Sequence, residues 1–231
     1  MKQIKPPPDR LYGRVRGHKL RARQERLLAL ALPRLALTPE EAADPARAFG
    51  FAPREIALEI GFGSGEHSLA HIAAHPASGL IACEVFENGI CSLLSRLIPD
   101  GAEATAPAPP NLRLWPGDAR ALLRILPAAC LGAIFLLFPD PWPKARHAKR
   151  RFVHPILLPL IARALRPGGE WRVASDDPVY QDWVREVMAC QQFFANEPAA
   201  TRRPAYWPAT RYEAKALSEG RSPLYWRFLR R

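Results

Sequence analysis

The chain has 231 residues, enough to bury the core of one domain, and its hydrophobic fraction of 48% is ordinary for a globular protein. No uncharged run approaches the ~18 residues that a membrane span needs, and no apolar segment follows the first residues, so we expect a cytoplasmic protein without a signal peptide. The net charge of +11 favours a polyanionic partner over a membrane surface, and four scattered cysteines argue against a zinc site or a disulfide framework.

The N-terminal part of the chain is predicted to be a basic arm followed by a short helix. Residues 1–34 carry ten Lys and Arg against two acids, and residues 1–18 offer little to bury, so we expect a mobile arm. The apolar spacing of residues 19–37 predicts a short helix that is broken near Pro33. Residues 38–50 are predicted to be a linker.

After Pro53 the pattern changes to strands that alternate with helices. Apolar runs predict strands over residues 55–60, 79–85, 112–115, 133–138, 171–174 and 224–229. Helical spacing predicts helices over residues 66–74, 88–98, 119–126 and 156–165, with Pro159 kinking or delaying the last of these, a turn at residues 167–169, and a further helix after Asp177. This alternation indicates an α/β fold with a doubly wound, mostly parallel sheet. We divide the chain into a partly flexible arm with its helix, residues 1–45, and one domain, residues 46–231.

A glycine-rich turn follows the first strand and opens the first helix of this domain. Gly61, Gly63 and Gly65 stand where a ligand could approach the backbone, because a Cβ there would block it. Tight turns alone can explain such glycines, so the pattern is weak by itself. Glu84 strengthens it, because it ends the second strand 21 residues after Gly63, where nucleotide-binding folds place an acid for the ribose hydroxyls.

The acids around the turn favour a cationic nucleotide over a dinucleotide. Glu59 precedes the first glycine by two residues and would repel a pyrophosphate, and position 66 is Glu where a nicotinamide oxidoreductase needs Gly or Ala. S-adenosylmethionine, with its ammonium, sulfonium, ribose diol and adenine, fits these acids. Asp118 follows the third strand, where an acid and the N–H of Ala119 can meet the adenine edge; Asp118 could equally cap the next helix.

The most unusual stretch is FPDPWPKARHAKRRF, residues 138–152. Asp140 ends the fourth strand between two prolines, which restrict the turn that holds it. Trp142 follows, and could stack on a base or pack in the core. Five cations then come within eight residues, as expected if the reacting base belongs to a polyanion whose phosphates lie just beyond the pocket.

These motifs, taken together with the basic arm YGRVRGHKL, resemble the bacterial tRNA (guanine-N7)-methyltransferases. LEIGFGSGEH, CEV, GDA, FPDPWPKARHAKRR, ASDD and TRYE occur in that family's order, from about Arg10 to the C-terminus. The glycine turn is shared by many methyltransferases, whereas the Pro-Asp-Pro-Trp segment with its basic run is far more specific. The sequence departs from the family pattern at Ser175, often Thr, and in the Pro-rich residues 107–110.

The resemblance implies a Rossmann-like class I methyltransferase domain that transfers a methyl group from S-adenosylmethionine to N7 of guanosine 46 in the tRNA variable loop. It implies Asp140 as the catalytic residue and no metal. The implied cofactor contacts are Glu59, Gly61, Gly63, Gly65, Glu84, Asp118, Ala119 and Asp140. The implied substrate contacts are Lys144, Asp176, Thr210, Arg211, Tyr212 and Glu213, and the implied RNA contacts are Arg146, His147, Lys149, Arg150 and Arg151.

Other interpretations of these residues remain open at this point. Thr210 and Glu213 also form a capping-box pattern, and Asp177 is better placed than Asp176 to cap the next helix, which would leave Asp176 free for substrate. We expect tRNA as partner, no membrane, no obligate protein partner, and a monomer or weak homodimer. The alternatives are a methyltransferase that acts on another RNA or on a protein, and a non-catalytic RNA-binding module.

Overall fold

The computed structural model describes residues 15–231, and a seven-stranded sheet forms the centre of this part of the chain. The mobile arm that the sequence predicts therefore lies mostly outside the described residues. The strands are β1 (Ile56–Ile60), β2 (Gly79–Cys83), β3 (Leu112–Trp115), β4 (Leu131–Leu137), β5 (Leu165–Ser175), β6 (Phe194–Asn196) and β7 (Leu224–Arg230).

The sheet is doubly wound and mostly parallel, as the sequence predicts. Its strand order is β3-β2-β1-β4-β5-β7-β6. Strands β1 to β5 pair in parallel, β7 pairs antiparallel with β5, and β6 pairs antiparallel with β7. Because β1 has β2 on one side and β4 on the other, the winding reverses there, and ligands in such folds bind at the carboxyl ends of the strands beside this reversal.

Helices cover both faces of the sheet. On one face, α6 to α8 pack on a core that includes Leu122, Ile161 and Val184. On the other face, α4 and α5 pack on a core that includes Ile72 and Leu93. Among the described residues, no helix is long and apolar enough to cross a membrane. The helices are α1 (Ala22–Arg26), α2 (Leu32–Leu35), α3 (Pro39–Ala43), α4 (Glu66–Ala74), α5 (Glu87–Leu97), α6 (Ala119–Ile125), α7 (Leu158–Ala164), α8 (Pro178–Ala189) and α9 (Arg211–Ser218).

The N-terminal helix continues past Pro33, so the predicted break was wrong. A π-helical segment, Leu27–Ala31, joins α1 to α2. Its wider turn places the Leu32 N–H on the Leu27 carbonyl, directly before the proline that has no N–H to donate. Leu27 and Leu35 are buried in the same core as α5, so this helix is part of the folded body.

The predicted linker over residues 38–50 was also wrong, because this segment folds and packs. Thr38 and Glu41 form a reciprocal capping box that begins α3. Ala42 and Phe49 are buried against the sheet. The division of the chain at residue 45 itself stays a prediction.

Three further details complete or correct the sequence prediction. Pro159 lies in the first turn of α7, where its missing N–H costs nothing, so it delays the helix rather than kinking it. The turn at residues 167–169 lies inside β5, where the pairing with β4 shifts register between Leu131 and Ala133. Strand β6 has only three residues, too few for an alternating hydrophobic pattern to predict it.

We expect Leu27→Ala to lower the free energy of unfolding by about 2–5 kcal/mol, because it leaves a cavity under a fully buried side chain. Leu30 lies in the same π-helical segment but is 44% exposed, and Leu30→Ala should change the value by less than about 0.5 kcal/mol. Urea denaturation measures both. Equal, small losses would show that the N-terminal helix does not belong to the cooperative unit.

Candidate active site

The residues that the sequence singles out lie where parallel strands end. The glycine turn follows β1, Glu84 follows β2, Asp118 follows β3 by three residues, and Asp140 follows β4 by three residues. A pocket of about 140 Å³ opens at this edge of the sheet. It is lined by Ile60, Gly61, Cys83, Glu84, Val85, Gly117, Asp118, Ala119, Arg120, Arg150, Arg151, Phe152 and Leu157.

Glu84 is buried and holds the glycine turn against the end of β2. Its Oε2 accepts the backbone N–H of Gly63 at 2.8 Å, and its Oε1 accepts those of Val85 and Phe86 at 2.8 and 3.0 Å. Burial raises the pKa of Glu84, and the three N–H donors act in the opposite direction. The predicted ribose acid is therefore also the residue that shapes the turn.

The three glycines have different surroundings, although all have positive φ angles. At Gly61, which lines the pocket, a Cβ would meet no atom within 4 Å, so open space faces this backbone. At Gly65, a Cβ would lie 2.4 Å from Leu93 Cδ1. Gly65 thus permits the close packing of α5 on the turn, and the structure does not bring it to the pocket.

The segment predicted to contact substrate meets the glycine turn at Gly63. A Cβ on Gly63 would lie 3.1 Å from the Tyr212 hydroxyl, so the ring of Tyr212 lies over the turn. The Arg211 guanidinium carbon lies 4.8 Å from the centre of that ring, and Arg211 donates to the Tyr212 hydroxyl. The start of α9 therefore borders the predicted cofactor site, as the resemblance implies for residues 210–213.

Glu59 does not line the pocket, and its predicted contact with the cofactor stays a prediction. Alternate residues of a strand point to opposite faces, and Glu59 faces α4. Its Oε2 accepts the hydroxyl of Ser68 at 2.5 Å and lies 3.1 Å from Nδ1 of His67. All three side chains are buried, so Glu59 ties the strand before the turn to the helix after it.

Asp118 caps α6, the alternative that the sequence left open. Its Oδ1 accepts the Arg120 N–H at 2.9 Å, and the Arg120 guanidinium binds both carboxylate oxygens. The cap presents the first turn of α6, including Ala119, to the pocket. An adenine contact through the Asp118 carboxylate would compete with Arg120.

The loop of Asp140 has an unusual backbone. Phe138 and Trp142 flank the Pro-Asp-Pro segment with φ angles of 51° and 45°, a region that costs a bulky residue ~1–2 kcal/mol. Asp140 is exposed, and within residues 15–231 no hydrogen bond or ion pair engages its carboxylate. Trp142 is half-buried rather than in the core, with Arg150 4.7 Å from its ring centre.

The basic run forms a short 3-10 helix, Ala145–Arg150. Lys144 and Arg146 are exposed, whereas His147 and Lys149 are half-buried. Burial, followed by the nearby positive charges of Arg150 and Arg146, lowers the pKa of His147. The shift reduces the positive charge of His147, and the run presents its charge mainly through Lys and Arg.

Arg151 is buried among protein groups, and its assignment as an RNA contact stays a prediction. Its guanidinium donates to the carbonyl oxygens of Pro141 and Trp142, both at 3.0 Å, and lies 5.0 Å from the ring centre of Trp183. A phosphate could reach it only after these contacts broke. Arg150 also lines the pocket, beside Trp142.

Asp176 is not free, contrary to the expectation. It forms an ion pair with Arg221, which follows the end of α9. Asp177 caps α8 by accepting the Tyr180 N–H at 2.9 Å, as predicted. No sequence pattern pointed to Arg221, because only the chain reversal at Gly220, with a φ angle of 71°, brings it back to the strand edge.

Thr210 caps α9 through the Glu213 N–H, but the capping box is only half formed. The Glu213 carboxylate instead accepts from the Tyr225 hydroxyl at 2.8 Å and from Arg203. Burial raises the pKa of Tyr225, which keeps this hydroxyl protonated as a donor. Glu213 is itself buried, so it anchors α9 to β7 and leaves Arg211 and Tyr212 as the accessible residues of the segment.

Among the described residues, no group of three or more His, Cys, Asp or Glu side chains is arranged to hold a metal ion.

The fold is that of class I methyltransferases: the structure of a 16S rRNA methyltransferase, KamB, matches with a TM-score of 0.57 at 16% identity, over 77% of this chain and 88% of that one. At this identity the match concerns the fold alone.

Sequence comparisons identify the family. A family described as putative methyltransferase matches residues 53–224. The chain is 60% identical over 229 residues to a tRNA (guanine-N(7)-)-methyltransferase of Granulibacter bethesdensis, covering 99% of this chain and 98% of that protein. It is 47% identical over 237 residues to the protein of the same name from Rhodospirillum rubrum, covering 98% and 90%. The chain therefore belongs to the tRNA (guanine-N7)-methyltransferase family.

Proposed function

We propose that this protein transfers the methyl group of S-adenosylmethionine to N7 of guanosine 46 in the variable loop of tRNA. The observation that carries the proposal is one continuous edge: the pocket lined by Glu84 and Asp118 is also lined by Arg150 and Arg151, and Arg151 contacts the loop of Asp140. A nucleoside pocket, a strand-end carboxylate and a basic run are thus contiguous, in a chain whose relatives carry this activity in their names.

The pocket fits the nucleoside part of S-adenosylmethionine. Open space faces the backbone of Gly61. Each oxygen of a carboxylate can accept more than one hydrogen bond, so Glu84 can accept ribose hydroxyls while it holds the turn. The backbone N–H of Ala119, in the first turn of α6, is available to the adenine edge. Glu59 would act indirectly, by keeping the strand and α4 in register around the turn.

Methyl transfer to N7 depends mainly on how the cofactor and the guanine base are positioned relative to each other. S-adenosylmethionine supplies a methyl group on a positively charged sulfur. Guanine N7 carries a lone pair and no proton, so no residue has to act as a general base to expose the nucleophile. The base gains positive charge during transfer, and a fixed carboxylate opposite to it lowers the barrier electrostatically.

Asp140 is the residue suited to that task. Its carboxylate is exposed at the end of β4 and is not engaged by another described side chain. It can accept from the N1–H and amino group of guanine, which orients N7, and it can stabilise the positive charge of the methylated base. The guanine is expected to leave its stack to reach this edge, where the half-buried ring of Trp142 and the exposed ring of Tyr212 border the site.

Lys144 and Arg146 would dock the phosphates around the target base, with Lys149 and Arg150 at the margin of the pocket. Exposed cations neutralise phosphates and set the register of the RNA without reading its sequence.

We further expect the protein to act in the cytoplasm as a monomer or weak homodimer without an obligate protein partner. Mapping of 7-methylguanosine by mass spectrometry, in unmodified tRNA incubated with the protein and S-adenosylmethionine, tests the activity and the position.

Asp140→Ala should lower the single-turnover rate of methyl transfer by ~100- to 1,000-fold, because the electrostatic contact to the base is lost. The melting temperature should hardly change, since the side chain is exposed and makes no contact within the described residues. Quench-flow measurement with saturating tRNA gives the rate. A variant with a near wild-type rate would remove Asp140 from the mechanism.

Glu84→Gln should weaken S-adenosylmethionine binding about 10- to 100-fold, because charge-assisted hydrogen bonds to the ribose become neutral ones. Glu55→Gln is the matched control, because Glu55 lies at the opposite end of β1 and pairs with Arg166. Calorimetric titration with the cofactor measures both. If the two variants bind the cofactor equally well, Glu84 has only the structural role of holding the turn.

Arg146→Ala should weaken tRNA binding and reduce the slope of log Kd against log salt by ~0.7–1, the share of one phosphate contact. Arg185→Ala, which removes an exposed arginine of α8 paired with Asp182, is the control and should leave the slope unchanged. Titration of labelled tRNA at several salt concentrations measures the slope. An unchanged slope in Arg146→Ala, Lys144→Ala and the double variant would exclude this run as the docking surface.

A further inference from the structure

We infer that Arg151 is a positioning residue: its guanidinium fixes the loop that carries Asp140 and thereby sets the geometry of methyl transfer. The inference rests on the proposed function, because it assigns Asp140 the contact with the base. It separates Arg151 from the exposed cations before it in the sequence, although all belong to one run.

The loop has few means of holding its own shape. Pro139, Pro141 and Pro143 have no N–H to donate, and the Asp140 side chain has no partner among the described residues. Phe138 and Trp142 both have positive φ angles, which L-residues avoid unless the surroundings enforce them. Something outside the Pro-Asp-Pro-Trp segment must therefore keep it in this conformation.

Arg151 supplies two hydrogen bonds directly after Asp140. Its Nε donates to the Pro141 carbonyl and a terminal nitrogen donates to the Trp142 carbonyl, each at 3.0 Å. Two parallel donors on a rigid plane restrain two successive carbonyls at once, which a single ammonium cannot reproduce. The side chain thus holds the two peptide planes on either side of the strained Trp142, the first of which begins at the residue after Asp140.

Arg151 is itself fixed to α8. It is 4% exposed and lies 5.0 Å from the ring centre of Trp183. Two residues later, Val153 donates its N–H to the Tyr180 hydroxyl at 3.4 Å and accepts the indole N–H of Trp183 at 2.6 Å. A chain of packed contacts therefore runs from α8 through Arg151 to the loop.

The same residue also lines the predicted cofactor pocket. Arg151 therefore fixes the loop of Asp140 relative to the cofactor pocket. Methyl transfer requires the cofactor, held by the pocket, and the base, held by Asp140, to be correctly placed relative to each other. A displacement of about 1 Å at a reacting site can cost 100-fold in rate. A loop restrained at one side chain is correspondingly sensitive to the loss of that side chain.

The test compares Arg151→Ala with Arg185→Ala, the surface arginine of α8, in the full-length protein. We expect Arg151→Ala to lower kcat about 10- to 100-fold, with KM for tRNA and the salt slope of tRNA binding nearly unchanged. Hydrogen exchange of residues 138–152, followed by mass spectrometry without any substrate, should become faster in Arg151→Ala only. This second readout needs no methyl transfer and stays valid if the protein modifies a different base.

The outcomes separate the alternatives. A loss of tRNA affinity with a flatter salt slope and unchanged kcat would make Arg151 an RNA contact and overturn the inference, as would unchanged exchange of the loop. Wild-type protein without activity on tRNA would overturn the proposed function, while faster loop exchange in Arg151→Ala would still support the restraint.

Arg151→Lys keeps the test decisive if Arg151→Ala does not fold. Lysine retains the positive charge and most of the packing on Trp183, but it cannot hold both carbonyls in one plane. We expect a melting temperature near that of the wild type and a kcat lowered about 10-fold. Wild-type kcat and wild-type loop exchange in Arg151→Lys would show that charge alone matters, and would overturn the positioning role.

Discussion

The carboxyl edge of the parallel sheet is the constraint on which the rest of the site depends. Because β1 pairs with β2 on one side and β4 on the other, the segments that follow these strands meet in one crevice. Glu84 closes this arrangement by accepting the N–H of Gly63 across the gap between β1 and β2. A buried carboxylate is stable there because three backbone donors replace the water that it loses.

Three predicted acids thus have a structural role before any ligand binds. Glu59 joins β1 to α4, Asp118 caps α6, and Glu84 shapes the turn. Such a site is largely preformed, which lowers the entropic cost of binding a cofactor. Asp140 is the exception, since its carboxylate is exposed and has no hydrogen bond or ion pair within residues 15–231, which leaves it available to a substrate.

The sequence predicted the doubly wound sheet and the strand ends well, because hydrophobic runs and glycine turns are local signals. It failed where tertiary contacts override them: the helix passes Pro33 by shifting to π geometry, and the three residues of β6 pair only because β7 lies beside them. The capping box at Thr38 could have predicted α3, but the Pro- and Ala-rich composition of this segment led to its prediction as a linker. The partners of the site acids, such as Ser68 and Arg221, are set by folding and could not be read from spacing.

The basic run shows why charge alone could not assign its residues. Lys144, Arg146 and Arg151 are formally equivalent in the sequence, yet two are exposed and the third is buried on Trp183. A cation that holds backbone carbonyls acts through geometry, and one that meets phosphates acts through counterion release, so salt should weaken only the second. One short segment can therefore dock the RNA with its exposed cations while its last arginine holds the reacting loop, which links the position of the tRNA to that of Asp140.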